Sequence, residues 1–207
     1  MKKGIKWAIG ILFGSLFAFA GWNMMMNPTF LLGETTSVYG KIIDVFPSRE
    51  VNTYRRRVKY VYAADDKFYY DFLTLGTQDK KQVIGNTIRI SYSKKNPQNN
   101  KVEKLLSDYN NSTGEKYYSI KETGYIEMRL VNGIFKYKEY ADEGEIVRNF
   151  VGEYLVENDT LHFTPYNFGT DTLMTNKLEL LVFNSKNINQ LIEADTDRIF
   201  TKIKTRR

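Results

Sequence analysis

A single histidine, three acidic turns and one run of arginines are the residues here whose types could carry chemistry. His162 stands between Leu161 and Phe163 in a stretch with strand-like alternation, which turns its imidazole to the face opposite those apolar neighbours. One histidine cannot build a multi-histidine metal site, and nothing at a telling spacing completes a Ser-His-Asp triad with it. It reads as a surface or hydrogen-bonded strand histidine. The acidic turns Asp65-Asp66, Asp142-Glu143-Gly144-Glu145 and Asp195-Thr196-Asp197 lack the spaced oxygens and closing glutamate of an EF-hand loop. They suit hairpin turns, where short acidic side chains hydrogen-bond local backbone. A hydrolase built on scattered carboxylates would need a separation that only a fold can supply. No residue is therefore assigned to catalysis, to a metal or to a cofactor, and the expectation is a protein that is not an enzyme.

Arg55-Arg56-Arg57, with Tyr54, Tyr60 and Tyr62 close by, mixes cations with aromatic rings. Such a mixture can contact phosphates and stack on bases. The formal net charge of +6 permits attraction to nucleic acid or to anionic lipid. Three readings remain: a strand edge charged against edge pairing, a site for an anionic head group or acidic partner, and a nucleic-acid surface. The third is set aside, because an export segment would separate the chain from nucleic acid. Cysteine is absent, which removes disulfides, thiolate metal sites, cysteine nucleophiles and a lipid-carrying cysteine together.

The element that places these residues is the apolar run from Trp7 to Met26, preceded by Lys2, Lys3 and Lys6. About 20 helical residues match a hydrocarbon core of about 30 Å. The lysines would stay cytoplasmic and send the remainder outward. Trp7 and Trp22 suit the two interfaces, and Gly10 and Gly14 form a Gly-x-x-x-Gly pair that permits helix dimerisation. Ala18-Phe19-Ala20 is a small-x-small pattern that signal peptidase could cut before Gly21, the alternative to retention as an anchor.

Past Asn27-Pro28 the pattern turns to strands, as 15 tyrosines, 13 phenylalanines and abundant β-branched residues favour. A first strand is expected at 38–46, closed by Pro47-Ser48. A hairpin is expected from 56–62 and 68–74, a further strand at 87–92, and a turn-rich stop at 94–100. Gly40-Lys41-Ile42-Ile43, Val58-Lys59-Tyr60-Val61-Tyr62, Ile84-Gly85-Asn86-Thr87 and Lys95-Asn96-Pro97 follow one another in an order that resembles the bacterial family catalogued as domain of unknown function 3592. The resemblance covers residues 10–105. It implies a small β domain beside a retained membrane helix, and no activity. Ser93-Lys94-Lys95 stands where that family more often carries an acidic residue, and no second membrane helix follows.

Residues 105–116 are polar at their centre and aperiodic, which suits a linker. Beyond them strands are expected at 117–121, 125–131, 134–140, 146–156, 160–165, 177–183, 190–193 and 198–203. Turn signals such as Asn132-Gly133 and Asn158-Asp159 separate them. Asn110, Asn111 and Asn158 fall in glycosylation sequons, but the Lys-, Asn- and Ile-rich composition suggests a bacterial source and no glycan. Gly152-Glu153-Tyr154 with Asp159-Thr160-Leu161-His162-Phe163, and the ending Arg198-Ile199-Phe200-Thr201-Lys202, resemble lipocalin-like envelope barrels over residues 117–203.

The sequence thus predicts one transmembrane helix followed by an all-β ectodomain. The divisions are 1–33 anchor or signal, 34–105 small β domain, 106–116 linker, and 117–207 antiparallel meander forming a barrel or sandwich. The expected function is a cell-membrane-anchored envelope protein, single-pass, with a non-catalytic binding or scaffolding role. A lipocalin-like carrier of a small apolar ligand is the alternative. Partners are membrane lipid through the helix, and a protein or small apolar ligand, with no nucleic acid. Cleavage near Ala20 would instead give a secreted or periplasmic protein.

Overall fold

Period-two alternation of apolar and polar residues makes a strand with one dry and one wet face, and in a computed structural model of the chain thirteen strands account for the regular structure among the described residues. The structure describes residues 33–203 apart from 51–52, 78, 80, 112–113, 167, 169–181 and 188. The expected membrane helix, with Gly10, Gly14 and Ala20, lies outside the described residues. Among those described, no helix is long and apolar enough to cross a membrane.

The first sheet contains β1 (Thr35–Glu50), β2 (Thr53–Ala64), β3 (Lys67–Thr74), β4 (Thr87–Ser93) and β5 (Asn96–Leu105), in the order β3-β2-β1-β4-β5. Every neighbouring pair is antiparallel. A fourth strand returning beside the first of a three-strand meander is the Greek-key arrangement. β1 serves two partners along its length: Thr35–Lys41 pairs with β4, and Gly40–Glu50 pairs with β2 across an irregularity near Ile43. That irregularity bends the strand and curls the sheet. The outer strands β3 and β5 approach each other, and Asn100 Nδ2 donates to Asp71 Oδ2 at 2.9 Å across the seam. Inside the curl lie Tyr60, Tyr62, Ile88, Ile90 and Tyr92, with Ile42, Val58 and Leu75 beneath them.

Two sequence expectations fail here, for one reason. Pro47-Ser48 does not close β1, because Pro47 pairs with Arg56 inside the strand. The stretch 94–100 is not a stop either. Only Lys94-Lys95 turns, and β5 begins at Asn96. Proline lacks an N–H and is tolerated where one side of a strand has no ladder. Past Ile42, whose backbone still bonds Asn86 and Gly85, β1 pairs with β2 alone, and β5 ends the sheet, so both prolines meet that condition. In β5 the Pro97 carbonyl is used as well, accepting from the Tyr62 hydroxyl at 2.6 Å.

The second sheet holds β6 (Glu115–Ile120), β7 (Tyr125–Val131), β8 (Ile134–Tyr140), β9 (Ile146–Glu157), β10 (Thr160–Pro165), β11 (Val182–Asn187), β12 (Gln190–Glu193) and β13 (Ile199–Lys202). Each pairs with its neighbour in sequence, and β13 pairs with β6, closing an up-and-down barrel. Of the strand expected at 177–183, residues 182–183 lie in β11, which runs on to Asn187, and 177–181 fall outside the described residues. Hairpin chemistry matches the turns: Asn132 and Gly133 have φ of 49° and 79°, and Asn158 and Asp159 have 48° and 63°. The barrel interior is packed by Ile126, Met128, Phe135, Tyr137, Phe163 and Phe200, all nearly or fully buried. The Phe135 and Phe163 rings meet edge to face at 4.8 Å.

A further apolar cluster joins the two curled sheets. Ile43 and Val61 of the first, with Ile84 from the β3–β4 connection, pack with Val131, Ile134 and Val151 of the second and with Tyr166 and Phe168, which follow β10. Asn132 adds a polar clamp, donating to the carbonyls of Ile84 at 2.7 Å and Asn111 at 2.9 Å. The connecting residues 106–114 are themselves laced to the first sheet. Thr87 N–H donates to Asp108 Oδ2 at 2.8 Å, and Tyr109 N–H donates to Asn86 Oδ1 at 2.8 Å.

Candidate binding surface

The arginine run is sorted by the pleat of β2. Val58, Tyr60 and Tyr62 point into the first sheet's interior, while Arg55, Arg57 and Lys59 share the opposite face, Arg55 and Arg57 exposed and Lys59 half-buried. Burial, with Asp71 nearby, raises the Tyr60 and Tyr62 hydroxyls above their ordinary value of 10.0 and keeps both neutral. The tyrosines next to the arginines in sequence are therefore not their neighbours in space. Of Tyr54 only the backbone is described.

The aromatic partners come from β1 and β3. The Arg57 guanidinium lies 4.6 Å from the Phe72 ring centre, and Lys59 Nζ lies 3.9 Å from that of Tyr70. Phe46 meets Phe72 edge-on at 6.0 Å, and Tyr70 meets Phe168, just past β10, edge-on at 5.2 Å. Cations over ring faces are attracted by the ring quadrupole, which helps to fix where they sit. Tyr70 and Phe72 remain 41% and 37% exposed, so the cations sit among rings that a ligand can reach. Next to the strip, Arg55 and Arg56 with Lys81 and Asp79 line a cavity of about 320 Å³, where Asp79 accepts from the Gly76 N–H at 2.5 Å. At the other end the second sheet forms a wall, where Lys136 pairs with Asp44 at 2.7 Å. Burial lowers the Lys136 ammonium and Asp44 partly restores it.

His162 lies on β10 opposite Leu155 and Val182, half-buried, while Leu161 and Phe163 point into the barrel. Asp65 and Asp66 have φ of 50° and 59° and make the β2–β3 hairpin turn. The other two acidic turns join β8 to β9 and β12 to β13. Among the described residues no group of three or more His, Asp or Glu side chains converges as metal ligands.

Sequence reasoning missed an ionic cluster inside the barrel, towards the end carrying the β6–β7, β8–β9 and β12–β13 turns. Glu139 is 8% exposed and pairs with Lys121 and, at 3.6 Å, with Arg148. Glu193 is 7% exposed and pairs with Arg198 at 3.3 Å while accepting from the Thr196 hydroxyl. Between them the Tyr137 hydroxyl is raised by burial and by both carboxylates. Each buried carboxylate has a cation and the cluster is satisfied internally, so it closes the apolar interior and leaves the outer cationic face as the better candidate. Comparison of the chain with family models, with curated proteins and with solved structures gives no match.

Proposed function

We propose that the chain is a membrane-anchored envelope protein whose β-rich part works as a non-catalytic binding or scaffolding module. The observation that carries this is the outer face of β1–β3. There Arg57 stands over Phe72 and Lys59 over Tyr70, with Arg55 further along the same face of β2. Cations fixed on half-exposed rings are poor contributors to a core and good contributors to an interface, whose anchors are characteristically aromatic and arginine. The carrier alternative draws no support from the barrel, whose inward positions carry large side chains in mutual contact.

Division of labour follows the sequence: residues 1–33 hold the chain at the cell membrane, and the parts at 34–105 and 117–207 face outward. Fractionation tests the anchor. The full-length chain is expected to stay with membranes through an alkaline carbonate wash. Mature protein beginning at Gly21 in a soluble fraction would overturn it.

A further inference from the structure

We propose that two copies of this chain meet at the barrel rim that carries the β6–β7, β8–β9 and β12–β13 turns, joined about a two-fold axis through an apolar belt on its outer surface. This rim lies apart from the outer face of β1–β3, because the β7–β8 turn that clamps the first sheet is at the barrel's opposite end.

Strand register builds the belt. Ile120 pairs with Tyr125, Tyr125 with Tyr140, and Tyr140 with Ile146, which sets four side chains in one row across β6 to β9. On the other side Thr201 pairs with Tyr118, so Ile199 and Ile120, each two residues further towards the rim, continue the row. Ile192 pairs with Ile199 and extends it. The strand neighbours Ser119, Ile126, Glu139, Leu191 and Phe200 are buried, so the row points out of the barrel. Ile120, near its centre, is 89% exposed, and Ile199, Tyr125 and Ile146 are exposed as well. The Tyr125 ring stacks on that of Tyr140 at 4.5 Å, joining two strands into one surface. Contiguous outward apolar side chains with an aromatic centre are the kind of surface that interfaces bury.

Charge indicates what covers the belt. On its rim side the turns hold Glu122, Asp142, Glu143, Glu145, Asp195 and Asp197, all exposed. The cations nearest them, Lys121, Arg148 and Arg198, pair with the inner carboxylates Glu139 and Glu193. On the other side the outer faces of β8, β7 and β6 carry Lys138, Arg129 and Lys116 against one carboxylate, Glu127, which accepts from the Tyr118 hydroxyl. Same-face positions recur about every 6.6–6.8 Å along a strand. Lys138 stands one such step from the belt, and Asp142 and Asp197 stand one step from it in the opposite direction. A two-fold axis through the belt therefore lays belt on belt and brings each copy's acidic side against its partner's basic side. A bilayer would have to take in the six turn carboxylates ahead of the belt. A uniformly basic partner would suit the turns and meet Lys138 and Arg129 with like charge.

The chain has no cysteine, so an introduced one reports its own surroundings. In isolated membranes under mild oxidation, full-length Ile120→Cys should give several-fold more disulfide-linked dimer than Glu157→Cys, whose cysteine is at the far end of β9. In detergent micelles the cysteine-free chain should sediment as a dimer, with a dissociation constant raised about tenfold or more by Ile120→Glu. Ile120 is so exposed that this change leaves the barrel core untouched. Lys138→Glu and added salt should weaken the dimer in the same direction. Gly10→Leu with Gly14→Leu should leave both readouts unchanged, since the contact is not between membrane helices. A monomer, equal yields from the two cysteines, or a dimer indifferent to Ile120→Glu but lost with the glycine pair would overturn the proposal. So would Ile120→Cys joined only to a different protein.

Discussion

Tyr60, Tyr62, Tyr137 and Tyr166 are buried phenols whose ionisation the fold resists, each by desolvation first and then by a nearby carboxylate. Tyr118, bonded to Glu127 at 2.9 Å, is pushed up to about 12. Unfolded tyrosines ionise near 10.0, so above that pH the unfolded chain loses protons that the folded chain keeps. Their contribution to stability is complete below pH 10 and is lost as pH rises through the folded-state values. Urea midpoints should therefore hold steady on the approach to pH 10 and fall steeply beyond it, with tyrosinate absorbance rising together with unfolding. Early ionisation of all fifteen tyrosines in the native protein would contradict this. At this scale the sequence was partly legible. The period-two split of Arg55, Arg57 and Lys59 from Tyr60 and Tyr62 follows from the pleat alone. The ring partners Phe46, Tyr70 and Phe168 come from elsewhere in the chain and become neighbours only after pairing. The cluster of Lys121, Glu139, Arg148 and Glu193 was hidden likewise, since its members lie on or beside β6, β8, β9 and β12.

Hairpins were the most readable elements, because a turn needing positive φ selects its own residues. β7, β8 and β10 have the limits that the alternation predicts, flanked by Asn132-Gly133 and Asn158-Asp159. Prolines misled, since whether a strand tolerates one depends on which of its sides is paired. Another glycine lies where the two sheets meet. Gly85 has φ of 92°, and a Cβ there would stand 2.6 Å from the Asn132 carbonyl oxygen. Gly85→Ala therefore combines left-handed backbone strain with a clash against the turn that clamps the sheets. It should cost about 2–4 kcal/mol in urea unfolding, more than strain alone. Gly133→Ala, with φ of 79° and open space around it, should cost only about 1 kcal/mol. Equal costs would show that Gly85 does not sit against the clamp.

Two curled sheets sharing the cluster of Ile43, Val61, Val131, Ile134 and Tyr166 make a platform rather than beads on a string. The sequence held a signal of this. Ile42 and Ile43 are adjacent and both buried, as are Tyr60, Val61 and Tyr62, so β1 and β2 are apolar on both faces for part of their length. Which surface would cover the outer one was not readable, because it belongs to the end of another barrel. Packing there sets the wall against which the cationic strip ends, and so joins architecture to the proposed role. The central claim is that a chain held at the membrane binds a partner through this face. A photo-crosslinking residue placed at Tyr70 of the full-length chain in intact cells tests it most directly. A protein adduct is predicted in the washed membrane fraction, and it should disappear when Arg57→Glu and Lys59→Glu are added. No adduct, an adduct indifferent to those two changes, or a chain recovered in the soluble fraction would contradict the account.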